Sequence, residues 1–105
     1  MQFTSFLQDG NLTVALTGEI DHHCARQYIA AIAGKVEAYT PALCILDFSD
    51  VTFIDSSGIA VVINAMRSMK AIGGSLLLTG IGKQPMKVFQ AAGIDKIIEI
   101  REVAI

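Results

Sequence analysis

The apolar positions of this chain change their spacing several times, and each change marks the start of a new element. Leu12, Val14 and Leu16 alternate with Thr13, Ala15 and Thr17, the period of two of a strand buried on one face. Phe3 to Gln8 precedes them across Asp9-Gly10, a dipeptide that readily supplies the positive φ angles of a tight turn, so a β-hairpin is predicted to open the chain. Behind Asp21, a good N-cap, Ala25, Tyr28, Ile29, Ile32 and Val36 recur at helical spacing, which predicts a first helix ending near Tyr39, before Pro41. Leu43 to Phe48 then runs apolar almost without interruption and reads as a central strand covered on both faces.

The alternation continues to the end of the chain. Ile59, Val62, Ile63, Met66 and Met69 or Lys70 form one stripe of a second helix, stopped by Gly73-Gly74, where a glycine accepts the left-handed conformation. Ser75 to Thr79 is a further strand, Pro85 suits the first turn of a third helix that Gly93 ends, and Lys96 to Ile100 is a last short strand. Strands separated by helices must pair in parallel through right-handed crossovers. The predicted fold is therefore α/β, a single domain over 1–105 with an N-terminal β-hairpin, a mixed, mostly parallel sheet of about five strands, and about three helices packed on it.

Composition narrows the function. With 52% hydrophobic and 17% charged residues in 105, the chain carries enough apolar side chain for an ordered core. Its formal charge is −2 and its eight Lys and Arg are scattered singly from Arg26 to Arg101, which argues against nucleic acid as a partner. Met1 to Asp9 lacks the pattern of a signal peptide, and the longest aliphatic run, Ile59 to Ile63, is too short to cross a bilayer. No membrane insertion and a cytoplasmic location are expected. Cys24 and Cys44 show no paired spacing and are expected to be reduced and structural.

The segment richest in chemistry is Asp55-Ser56-Ser57-Gly58, two hydroxyls, a carboxylate and a glycine between an apolar stretch and a helix. In one reading Ser56 or Ser57 is only the N-cap and Asp55 a favourable first-turn charge. In the other, Ser56 is a modifiable hydroxyl where unpaired N–H groups and the helix dipole favour an anion. The second gains weight from Ala60, Val61, Asn64, Ala65 and Ser68, which lie off the predicted core stripe yet carry no charge, as a docking surface would. Rival chemistries fit poorly. His22, His23 and Cys24 are adjacent at a helix start with no second ligand cluster, so no metal is expected. A nucleophile elbow needs glycine two residues before its serine, where this chain has Ile54. Gly80-Ile81-Gly82-Lys83 lacks the spacing of a phosphate loop. The chain is expected to use no cofactor and not to be an enzyme.

In order and spacing, Gly18-Glu19-Ile20-Asp21-His22-His23, Phe53-Ile54-Asp55-Ser56-Ser57-Gly58-Ile59 and Ile72-Gly73-Gly74 resemble the anti-sigma-factor antagonists of the STAS domain family, the sporulation type above all. The resemblance implies a partner switch. An anti-sigma factor that is itself an ATP-dependent serine kinase would phosphorylate Ser56, a serine phosphatase would reverse this, and the unphosphorylated form alone would hold the anti-sigma factor and free the sigma factor. It places Asp21 in the loop beside the motif, and with it His23, Asp55, Ser57, Gly58, Ile59, Ala60, Val61 and Asn64 on the partner-binding surface. The same family also supplies unphosphorylated structural subunits of transporters and stress-sensing assemblies, the alternative reading. Two departures from the family pattern stand out: the sequence ends at Ile105, where a further C-terminal helix is common, and no basic side chain precedes Arg67 in the second helix.

Overall fold

In the computed structural model, which describes residues 2–101, the hairpin forms where the sequence predicts it. β1 (Gln2–Gln8) and β2 (Asn11–Ile20) pair antiparallel across Asp9 and Gly10, whose φ angles of 53° and 80° are both positive, as a type I′ turn requires. There follow α1 (His22–Tyr39), β3 (Leu43–Ile54), α2 (Ser56–Ala71), β4 (Ser75–Thr79), α3 (Lys83–Ala91), a 3-10 turn at Ile94–Lys96, and β5 (Glu99–Arg101). The sheet runs in the order β1-β2-β3-β4-β5 and is parallel from β2 onward. Each crossover steps the same way, so right-handed connections bring all three helices to one face.

That one-sided arrangement corrects the expectation for β3. Cys44, Leu46 and Phe48 are buried, whereas Leu43, Ile45 and Asp47 between them are only half-buried, because the helices cover a single face. In register, Val14, Leu46 and Leu78 form one row of the core, and Thr13, Ile45 and Leu77 the corresponding row on the other side. Against the covered face lie Tyr28 of α1, Val61 and Val62 of α2 and Phe89 of α3. Phe89 meets Phe48 edge-on, with ring centroids 5.5 Å apart, and the Tyr28 hydroxyl donates to the Thr17 carbonyl at 3.2 Å. Cys44 sits inside this core, and burial pushes its thiol pKa up to about 12; both cysteines are free.

The second helix is rotated from its predicted setting. Its buried residues are Gly58, Val61, Val62, Ala65 and Met69, while Ile59, Ile63 and Met66 are half-buried. Val61 and Ala65, expected on the exposed face, are thus core residues, with Val61 fully enclosed. The helix packs against α1 as well as against β3 and β4, and small side chains let two helices approach closely. Because apolar residues surround much of its circumference, spacing alone could not select the stripe.

Three further boundaries move. Both β2 and β3 run past their predicted ends, to Ile20 and Ile54, with pairing irregularities near Thr17 and at Gly18, whose φ is 78°. Near the C-terminus, Ile94 and Ile98 are both buried and joined by an Ile98 N–H to Ile94 carbonyl bond of 2.9 Å. That helical spacing converts the predicted start of the last strand into a turn, and β5 begins at Glu99. The expectation about a C-terminal helix concerns 102–105, outside the described residues. No helix among the described residues is long and apolar enough to cross a membrane.

Candidate functional site

Ile20 and Ile54, the last residues of β2 and β3, are register partners, and each is followed by an aspartate that starts a helix. The Asp55 N–H donates to the Ile20 carbonyl at 3.2 Å, which ties the two helix starts together. The N-termini of α1 and α2 therefore emerge side by side at the carboxyl ends of parallel strands, where open α/β sheets place their sites.

Each aspartate caps its own helix. The Asp21 Oδ1 accepts from the N–H groups of His23 at 2.9 Å and Cys24 at 3.3 Å. Partial desolvation pushes the Asp21 carboxyl up, but these two backbone donors, the Cys24 side chain and the charge of His23 outweigh it and hold its pKa below the ordinary value. The Asp55 Oδ1 accepts from the Ser57 N–H at 2.7 Å. This settles which residue is the cap of α2: it is Asp55, and neither serine. Ser56 is the first helical residue, exposed, and no hydrogen bond engages its hydroxyl among the described residues.

Gly58 explains how close the site lies to the core. A Cβ built there would stand 2.9 Å from Ile54 Cβ and 3.1 Å from its Cδ1, so only glycine lets the first turn of α2 rest on the end of β3. Gly58 is buried; its contribution is to seat the helix, and it offers no side chain to a partner.

Gln84 was not foreseen from the sequence. From the first turn of α3 its amide accepts from the Ile54 N–H at 2.9 Å and donates to the Ile54 carbonyl at 2.8 Å. Because the β3–β4 pairing ends at Asp47 and Thr79, β3 continues without that neighbour, and Gln84 supplies the pairing that a strand would have made. No motif marks it, since the need arises only from the unequal lengths of two strands.

The other predicted site residues are placed as follows. His23 is exposed, its ring 4.0 Å from that of His22. Ala60 is exposed, and Asn64 donates to its carbonyl at 2.8 Å. Ser57 is half-buried. Ile59, also half-buried, lines a shallow groove with Lys87, Val88 and Ala91 of α3 and its C-cap Ala92. Val61 is turned into the core, as described, and is not available to a docking partner. What remains at the surface around Ser56 is small and uncharged along α2, with imidazoles on α1 and Lys87 on α3 at its margins. Among the described residues no group of three or more His, Cys, Asp or Glu converges as metal ligands would, and no base is hydrogen-bonded to Ser56.

This geometry can be set beside known proteins. The sequence profile of the STAS domain matches residues 6–103. The anti-sigma F factor antagonist of Lysinibacillus sphaericus is 32% identical over 83 residues, which span 79% of this chain and 71% of that protein. The structure of the anti-sigma factor antagonist SpoIIAA in its unphosphorylated form superimposes with a TM-score of 0.85 at 27% identity, covering 98% of this chain and 89% of the other. The Bacillus cell fate determinant SpoIIAA in its phosphorylated form gives 0.77 at 27% identity, covering 98% and 92%.

Proposed function

This chain belongs to the STAS domain family, and from that premise we propose that it is a cytoplasmic anti-sigma-factor antagonist whose grip on its partner is set by phosphorylation of Ser56. The observation that carries the reading is the division of labour at the start of α2. Asp55 takes the capping role through the Ser57 N–H, so the Ser56 hydroxyl is exposed and uncommitted. The names of its relatives, which include antagonists of anti-sigma F and anti-sigma-B factors, support the role. So does the SpoIIAA fold, known in unphosphorylated and phosphorylated forms.

In the unphosphorylated state the partner, an anti-sigma factor with serine kinase activity, docks over Ser56, Ala60, Ile59 and Asn64, with Asp21, His23, Asp55 and Ser57 at the rim. The partner then transfers the terminal phosphoryl group of ATP to Ser56 Oγ, which gives up its proton. The product carries about −1.5 to −2 charge where a neutral hydroxyl had been. A surface matched to that hydroxyl would now have to desolvate an unpaired charge beside the Asp55 carboxylate, and the complex dissociates. The fold tolerates the modification because the unpaired N–H groups and dipole of α2 favour an anion at its N-terminus. Hydrolysis of the phosphate ester by a serine phosphatase restores the docking form. The chain itself performs no catalysis in this cycle.

Peptide-level mass spectrometry after incubation with ATP and the anti-sigma-factor kinase of the same organism tests the reading. Phosphate confined to Ser56 is the expected result. An unmodified chain, or phosphate on Ser57, would overturn it.

A further inference from the structure

The two edges of the sheet are built on different plans. Among the described residues β5 covers Glu99–Arg101, and its exposed Glu99 and Arg101 pair at 2.6 Å, so charge guards that edge against a further strand. β1 has seven residues with neither a charge nor a proline, and it leaves Phe6 57% and Leu7 48% exposed. It carries none of the devices that usually blunt an edge.

The turn determines which backbone groups of β1 lack a strand. Gln8 and Asn11 flank a two-residue turn with positive φ at both positions, the arrangement in which the flanking residues form a hydrogen-bonded pair. Counting back in steps of two, Gln8, Phe6 and Thr4 direct their N–H and C=O groups toward β2. Leu7, Ser5 and Phe3 direct theirs outward, past the last strand of the sheet.

We propose that the occupant of this edge is a second copy of the chain, with β1 against β1 antiparallel about a two-fold axis at Ser5. The parity just derived selects the register. Outward-facing residues must pair with outward-facing residues, and centring on Ser5 sets Phe3 opposite Leu7, Ser5 opposite Ser5 and Leu7 opposite Phe3. This completes about six inter-chain hydrogen bonds. The side chains agree with it on both faces. Phe3 meets Leu7 on the helix-covered side, and Thr4 meets Phe6 on the open side, an aromatic with β-branched pair of the kind that stabilises sheets. The strand itself sets no like charges opposite each other, and the Lys35 ammonium of α1 is held over the Phe3 ring, 5.9 Å from its centroid. A two-fold contact of this kind closes on itself and yields a dimer with one continuous sheet. One added strand buries less than the roughly 800 Å² per partner of a stable complex, so the dimer is weak and reversible. The edge contains no residue of the Ser56 surface, so each subunit keeps its site open.

Sedimentation equilibrium and amide exchange of the full chain, both followed against concentration, test the proposal. The expected result is a mass that doubles as concentration rises while exchange at Phe3, Ser5 and Leu7 slows by about tenfold or more. Exchange at Thr4 and Phe6, which bond to β2, should not change. Ser5→Pro removes an outward N–H without touching the β1–β2 ladder and should sediment as a folded monomer. Should circular dichroism show Ser5→Pro to be unfolded, Phe6→Lys replaces it, with dimer dissociation expected to be favoured by about tenfold or more. A chain that stays monomeric to about 1 mM overturns the proposal. So does a dimer in which Phe3, Ser5 and Leu7 exchange freely, or one that Ser5→Pro, still folded, leaves intact.

Discussion

The starts of α1 and α2 are near-duplicates that differ in what they leave at the surface. Both follow paired isoleucines and both are capped by aspartate, Asp21 and Asp55. The next residue is a bulky imidazole in α1, His22, and a small free hydroxyl in α2, Ser56. At the third helical position α1 carries Cys24, half-buried with its thiol 3.4 Å from the Glu19 carbonyl, whereas α2 carries Gly58, where no side chain fits above Ile54. One terminus is packed with ordinary tolerance. The other is pressed onto the sheet, which fixes Ser56 in place while leaving its hydroxyl uncommitted.

The contrast is broken most severely at the third helical position. Gly58→Val should cost about 3 kcal/mol in urea denaturation, because overpacking against Ile54 must push α2 outward. Cys24→Ala, at the matching place in α1, should cost less than about 1 kcal/mol. Next in size, Ser56→Asp should weaken binding of the anti-sigma factor by about 100-fold in isothermal titration, or about 2.7 kcal/mol, with the fold unchanged. Ser56→Ala should bind like the wild type but accept no phosphate.

Gln84→Leu sharpens the comparison from a distance. It strands the Ile54 N–H and carbonyl and should lower stability by about 1–3 kcal/mol. Phosphorylation of Ser56 should slow in this variant, although Gln84 never touches the serine. The smallest effect is expected from acid. Since the folded Asp21 pKa lies below its unfolded value, its capping adds stability that is fully present above about pH 4 and is lost as pH falls through the lowered folded value. In a melting-temperature series below about pH 4, Asp21→Asn should therefore show a shallower fall than the wild type.

Much of this was legible in the sequence, and the lapses have physical causes. The hairpin could be read from Asp9-Gly10, and α1 from Asp21 and Pro41, because turn and cap chemistry is local. The placement of Ser56 at the start of α2 was legible in the same way, from the polar run between an apolar stretch and a helix. Assigning the cap to Asp55 needed the actual backbone, since aspartate and serine are equally good N-caps. The burial of Val61 and Ala65 was out of reach, because a helix apolar around much of its circumference can present several stripes and only its neighbours choose among them. Single-sided covering of β3 was hidden by Leu43 and Ile45, half-buried residues that look like core residues in a list of types.

The Gln84 clasp also bears on when the site comes into being. Its bonds to Ile54 join positions 30 apart in sequence, and the Ile20–Ile54 pairing joins positions still farther apart. Each helix can form early from local contacts, but the platform beneath Ser56 is complete only after α3 has arrived. A chain still emerging from the ribosome, or one opened by local unfolding, would display the same serine in the same short motif without the surface around it. If the proposed function holds, a partner that recognises the assembled platform would engage folded molecules only.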